Sequence, residues 1–223
     1  MVFKLSRRDF AFLFIFAIAA LFAARINFSQ VLGAESQSFT VFQFFGPMTA
    51  AFIGPALGLG AILASEVTNV ILLGKSFSLF EVARLFPMLF AAYYFAKGKN
   101  PLGIALPLVC MALFIAHPIG GQVWYFSLYW LIPVIAAFFP ERLAGRALGA
   151  TFTAHAVGTV AYIYLFQSTP AFWLALIPVV AFERLLFASG ISISYVALNT
   201  LLAKVENKFE LKNLSIDRRY VLA

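Results

Sequence analysis

Charge is what this sequence has least of. Lys, Arg, Asp and Glu make up 11% of its 223 residues, whereas a soluble domain carries about 25%. So few charges do not cover a water-facing surface. With 63% hydrophobic residues, the chain reads as an integral membrane protein whose first partner is the lipid bilayer. Cysteine is scarcer still. Cys110 stands alone inside an apolar run, which excludes a disulfide framework and a cysteine metal site. No HExxH or comparable zinc spacing occurs, so a metalloprotease is excluded. A haem held between His117 and His155 conflicts with the different depths of their segments. No cofactor and no metal is therefore expected. The net charge of +7 does not imply nucleic acid, because the basic residues sit in short clusters between apolar runs, as orientation signals do.

Spanning a bilayer takes about 20 helical residues. Eight segments fit, at roughly 9–27, 39–53, 57–74, 78–96, 101–117, 122–139, 146–166 and 171–203. The first follows "KLSRRD" in the manner of a signal peptide, but no clear cleavage site and soluble domain follow, so it reads as a retained helix. Positive charge supports the count. With the N-terminus cytoplasmic, Lys4, Arg7, Arg8, Lys97, Lys99, Arg142, Arg146, Lys204, Lys208, Lys212, Arg218 and Arg219 all fall inside, 12 of the 16 Lys and Arg residues. Both termini are then cytoplasmic. The apolar stretch 39–74 is divided at "GPALG", since Pro55 and Gly54, Gly58 and Gly60 weaken helix continuity. A single kinked, tilted helix is the alternative.

The expected fold is an all-α, polytopic transmembrane bundle of about eight helices over residues 1–204, with a cytoplasmic tail at 205–223. A weak internal repeat divides it into 9–97 and 101–203. "GPALG" at 54–58 resembles "GRALG" at 145–149, and "LFPML" at 85–89 resembles "LIPVV" at 176–180, both at an offset of 91 residues. Four helices per unit would make the repeat parallel. Gly190 offers a stop for the last crossing, and the tail offers a short helix on the membrane surface.

Ionisable groups inside a bilayer each need a partner or a purpose. Glu66 falls near the middle of the third segment, with Asn69 one turn away on the same face. They read either as a ligand-facing pair or as a structural one. Glu81 and Arg84, three apart, read as a local ion pair. Glu183 and Arg184 are adjacent and diverge by about 100° on a helix, so they do not easily satisfy each other, and each is expected to find a separate partner, a cavity or the cytoplasmic interface. His155 lies mid-membrane among small residues that permit close helix approach. In "QVWYFSLYW" (122–130), Trp124 and Tyr125 suit an interfacial belt, while Tyr129 and Trp130, a turn deeper, suit a cavity wall. Ser189 beside Gly190 would need an unseen contact with His155 to act as a nucleophile, so enzymatic chemistry is weakly supported. Ala19, Ala20, Ala23 and Ala24 form overlapping A-x-x-x-A pairs, a seat for another helix inside or outside the chain.

In "AALFAARI", the polar loop "NFSQVLGAESQSFT", "AAFIGPALGLGAILASEVTN" with its G-P-x-x-G hinge, and the late "PVVAFERLLFASGI", the sequence resembles the substrate-binding S components of energy-coupling-factor vitamin transporters. The resemblance implies a small vitamin-like solute bound near the outer face beneath the first loop. It also implies docking through Ala19 and Ala23 onto a transmembrane partner subunit, with cytoplasmic ATPase subunits supplying energy. Such subunits usually have six helices, so residues 78–139 have no secure counterpart. The ligand-binding candidates are Glu66, Asn69, Tyr129, Trp130, His155, Glu183 and Arg184. The alternative is a scaffold or sensor module in which buried polar groups only orient helices.

Overall fold

The computed structural model of the chain describes residues 7–30, 38–74, 76–97, 99–209 and 214–222. Residues 31–37 of the expected solute-binding loop, and Lys4 and Lys212 of the charge pattern, lie outside them.

Helix α1 (Arg7–Ala23) leads into a hairpin of β1 (Asn27–Gln30) and β2 (Ser38–Thr40), antiparallel, with Asn27 opposite Thr40 and Gln30 opposite Ser38. This hairpin is an addition to the expected all-helical chain. Its Phe28 and Phe39 rings pack 5.5 and 5.4 Å from Phe187, which gives a short strand pair an apolar anchor that an isolated hairpin lacks.

The segment expected to be one helix at 39–53 is instead a strand end, two 3₁₀ turns (Val41–Phe44 and Gly46–Met48) and the short α2 (Thr49–Ile53). Pro47 has no N–H to continue a helical ladder. The division at "GPALG" is confirmed, and its residues show why. Gly54 has φ +81°, a conformation side chains disfavour, and Pro55 opens α3 (Pro55–Leu72) at the position where a missing N–H costs nothing. A Cβ on Gly58 would lie 2.4 Å from the Ala50 Cα, so that glycine lets α2 and α3 meet backbone to backbone.

The chain continues through α4 (Leu79–Lys97), α5 (Pro101–Ala116), α6 (Pro118–Gln122), a 3₁₀ run (Trp124–Trp130), α7 (Leu131–Ala136), α8 (Leu143–Leu165) and α9 (Pro170–Phe209). The expected helix at 122–139 is thus half 3₁₀. Gly190 does not stop α9. A Cβ there would come within 2.3 Å of Phe44 Cδ1, so it is a seat for that ring. With 40 residues, α9 is about 60 Å long, twice the hydrocarbon thickness. The "GRALG" counterpart of the hinge lies inside continuous α8, so the two pentapeptides part at their first residue, Gly54 turning the chain at φ +81° where Gly145 is helical.

Among the described residues, α3, α4, α8 and α9 are long and apolar enough to cross a membrane, and shorter apolar helices cover Leu13–Ala23, Pro101–Ala116 and Trp124–Ala136. The four long helices are compatible with a membrane protein. Helices α4 and α8 pack closest, through Ala147, Gly149, Ala150 and Ala154 on α8. Around them lie three apolar clusters: Phe52, Tyr94, Phe95 and Tyr195; Phe114, Phe126, Trp130 and Trp173; and Phe16, Phe42, Ile62 and Met88. One end of the bundle gathers Lys97, Arg146 and the described tail, and is called the basic end below.

Candidate functional site

Between α3, α4, α8 and α9, with β2 at one side, lies a cavity of about 220 Å³. Each helix contributes one face to it. On α8 the lining residues His155, Gly158, Thr159 and Tyr162 follow i, i+3, i+4, i+7. On α9, Trp173, Leu176, Val180 and Arg184 repeat at three and four. Helix α4 presents Phe80, Glu81, Arg84 and Pro87, and α3 presents Glu66 and Asn69.

Five of the expected site residues, Glu66, Asn69, His155, Glu183 and Arg184, line this one cavity. The same-face reading of Glu66 and Asn69 holds, as both line it from α3. Glu183 and Arg184 reach a cavity, one of the outcomes expected of them, but they also touch each other, which was not expected: Arg184 Nη2 lies 3.4 Å from Glu183 Oε2. Long side chains bend enough to close the angle their Cβ atoms open. Glu183 also accepts a hydrogen bond from Ser29 Oγ at 2.6 Å, which ties the hairpin to α9. Glu183 is 13 residues from Pro170, about 20 Å along α9, so the hairpin reaches into the bundle and does not merely cover its end.

Arg184 is 2% exposed. Its guanidinium lies over both Phe39 and Phe187, 4.8 and 4.5 Å from the ring centres, and Nη1 donates to Thr151 Oγ1 at 3.5 Å. A buried guanidinium needs such neutral cover as well as its carboxylate, because desolvation otherwise outweighs the pair's attraction.

Trp130 and Tyr129 are not on the cavity wall. Trp130 is fully buried and donates from Nε1 to His155 Nδ1 at 3.1 Å. An indole N–H is donor only, so Nδ1 must be the acceptor and the imidazole proton resides on Nε2, which faces Thr159 Oγ1 at 3.3 Å. Trp130 thus sets the tautomer of a cavity residue from behind it. Tyr129 stacks on Phe152 at 5.6 Å and donates to the Ile177 carbonyl at 2.8 Å. It braces α8 against α9.

Glu81 and Arg84 form the expected local pair at 3.8 Å, but they also line the cavity, which sequence spacing alone did not suggest. The aromatic wall was missed too: Phe80, Tyr162, Phe172 and Trp173, with Tyr162 and Phe172 nearly parallel at 5.9 Å. A readable signal existed, since Thr159 and Tyr162 lie four and seven residues after His155 on one helical face. Ser189 donates to the Leu185 carbonyl at 2.9 Å and does not line the cavity with His155. His117 caps α6, its Nδ1 accepting from Ile119 N at 3.2 Å. Among the described residues no group of three or more His, Cys, Asp or Glu is placed to hold a metal ion.

The alanines of α1 differ from each other. Ala23 is buried against the cluster of Phe16, Phe42 and Ile62, whereas Ala19 is exposed beside Phe22 and Ile15.

The cavity therefore offers two ion pairs, a carboxylate and an amide on α3, a tautomer-fixed imidazole and a row of rings. That set can hold a small, partly flat, polar organic molecule. Compared with known protein families, curated proteins and solved structures, the chain shows no significant match.

Proposed function

We propose that this chain is a small-solute, vitamin-like binding and transport subunit of the cell membrane. It crosses the bilayer about eight times with both termini cytoplasmic, and it works with transmembrane and ATPase partner subunits. One observation carries the reading: Glu66, Asn69, His155, Glu183 and Arg184, scattered over 119 positions from 66 to 184, meet at one cavity inside a bundle of apolar helices. Polar groups are costly within hydrocarbon, and their gathering at a cavity is what a solute pathway requires. The polar end of the solute faces the two ion pairs and Asn69, and its flat part lies along Tyr162, Phe172 and Trp173. Docking of a partner falls to the outward face of α1 around Ala19.

Native mass spectrometry of the gently extracted protein is expected to show a small-molecule adduct, and Glu66→Gln to reduce its occupancy about tenfold, the loss of one charge-assisted contact of roughly 1.5 kcal/mol. An adduct-free spectrum, with Glu66→Gln as stable as wild type, would defeat the proposal. One observation favours the second reading, a scaffold or sensor module: Glu81 with Arg84 and Glu183 with Arg184 are paired without any ligand. That reading expects no adduct and a retained protein partner.

A further inference from the structure

We propose that residues 214–222 are a latch across the basic end of the bundle, holding the α2–α3 corner so that α3 keeps its place at the cavity. The functional consequence rests on reading that cavity as a solute site. The latch itself rests on four sets of contacts.

First, the break at Gly54 leaves a carbonyl without its helical partner. In a continuous helix Phe52 O would accept from the amide of Ala56, but Gly54 at φ +81° turns the chain away. Ser215 N donates to Phe52 O instead, at 2.8 Å. The tail thus caps the hinge from a position 163 residues away in sequence.

Second, the tail is anchored to α9 by backbone bonds to polar side chains. Asp217 N donates to Asn199 Oδ1 at 2.7 Å, and Leu222 N donates to Thr200 Oγ1 at 3.0 Å. Asn199 is fully buried and its amide donates to the Tyr195 carbonyl at 2.8 Å, so it is rigidly presented.

Third, the tail reaches the turn between α7 and α8. Tyr220 donates from its hydroxyl to the Glu141 carbonyl at 2.7 Å, and Arg219 pairs with the Glu141 carboxylate, while Arg218 pairs with Glu206 on α9.

Fourth, the strap both packs on the bundle and borders a cleft. The cleft is about 440 Å³ and is lined by Ala51, Lys97, Arg146, Tyr195 and Ile216. Leu214, Ile216 and Tyr220 also pack against the cluster of Phe52, Phe95 and Tyr195, so apolar contact accompanies the exposed ion pairs.

Release would act on α3 directly. Gly58 packs on Ala50 with no room for a Cβ, so a shift at Phe52 is passed to α3 and is not absorbed at the corner. Helix α3 carries Glu66 and Asn69 to the cavity. Loosening the strap frees the wall that bears them.

Hydrogen exchange of the full chain in lipid nanodiscs tests this without any solute, so its outcome is separate from that of the solute reading. Two variants are compared with wild type: a chain ending at Asn213, and the full-length double variant Arg219→Ala with Tyr220→Phe. Both are expected to speed exchange over residues 56–70 about tenfold, the effect of losing one or two hydrogen bonds, while α5 keeps its wild-type rates. Unchanged exchange over 56–70 in both variants would overturn the latch. So would equal acceleration in α5, which would mean that the tail merely adds global stability.

Discussion

Gly149 sits where no side chain fits. A Cβ there would come 2.1 Å from Tyr94 Cε1, and Tyr94 is held in place by its hydroxyl bond to the Pro133 carbonyl at 2.6 Å. Gly149→Ala gains helix propensity of up to about 1 kcal/mol but must displace a fully buried ring, at about 1–3 kcal/mol. A net loss of up to about 2 kcal/mol is expected after the full propensity gain, read as a lowered thermal midpoint in detergent. Gly190, seated under Phe44, obeys the same logic. Gly54 does not, since its positive φ is a demand of its own backbone. The sequence distinguished these glycines unevenly. "GP" announces a hinge by local chemistry alone, whereas a glycine reserved for a distant ring looks the same as a stop signal until the ring is placed.

At the scale of the element, α1 divides its alanines between two faces. Ala23 faces Phe16, Phe42 and Ile62 within the bundle, while Ala19 lies on the outer side with Ile15 and Phe22. Enlarging each to Leu separates a packing role from the proposed docking role. Ala23→Leu is expected to lower the thermal midpoint of the isolated chain, because extra methylenes in a filled core cost about 1–3 kcal/mol. Ala19→Leu is expected to leave that midpoint unchanged and to reduce recovery of a membrane partner on co-purification. The A-x-x-x-A spacing was legible beforehand. Which alanine pointed inward was not, because an α1 that is apolar all round carries no periodic signal to orient it. The same limit hid the wall of Phe80, Tyr162, Phe172 and Trp173. Helical spacing groups residues on one helix, but it does not say which four faces will meet.

For the whole molecule, the strap binds the hinge, the α7–α8 turn and the far end of α9 into one end-cap, and acid tests it. The Arg219 guanidinium donates to Asp217 at 2.9 and 2.8 Å and holds that carboxyl below its ordinary value of 3.8. Arg146 adds to this, and burial opposes it. A folded value below the unfolded one gives stability that is full above the ordinary value and lost as pH falls through the lowered one. Between about pH 6 and pH 3 the thermal midpoint of wild type is expected to fall further than that of Asp217→Asn, which has no such proton to gain.

The sequence alone determined the apolar class, the long helices α3, α4, α8 and α9, the break at Gly54 and the residues able to bear charge within hydrocarbon. These follow from composition, from runs of apolar side chains and from backbone chemistry, all of which act over a few residues. Tertiary structure decided that 39–53 is not one helix, that Gly190 interrupts nothing and that the tail returns to cap Phe52. It alone brought Glu66, His155 and Arg184 to one cavity. Those outcomes depend on contacts between residues up to 163 positions apart, as Ser215 to Phe52 shows. Packing chooses among many faces of similar hydrophobicity, and no local pattern records the choice.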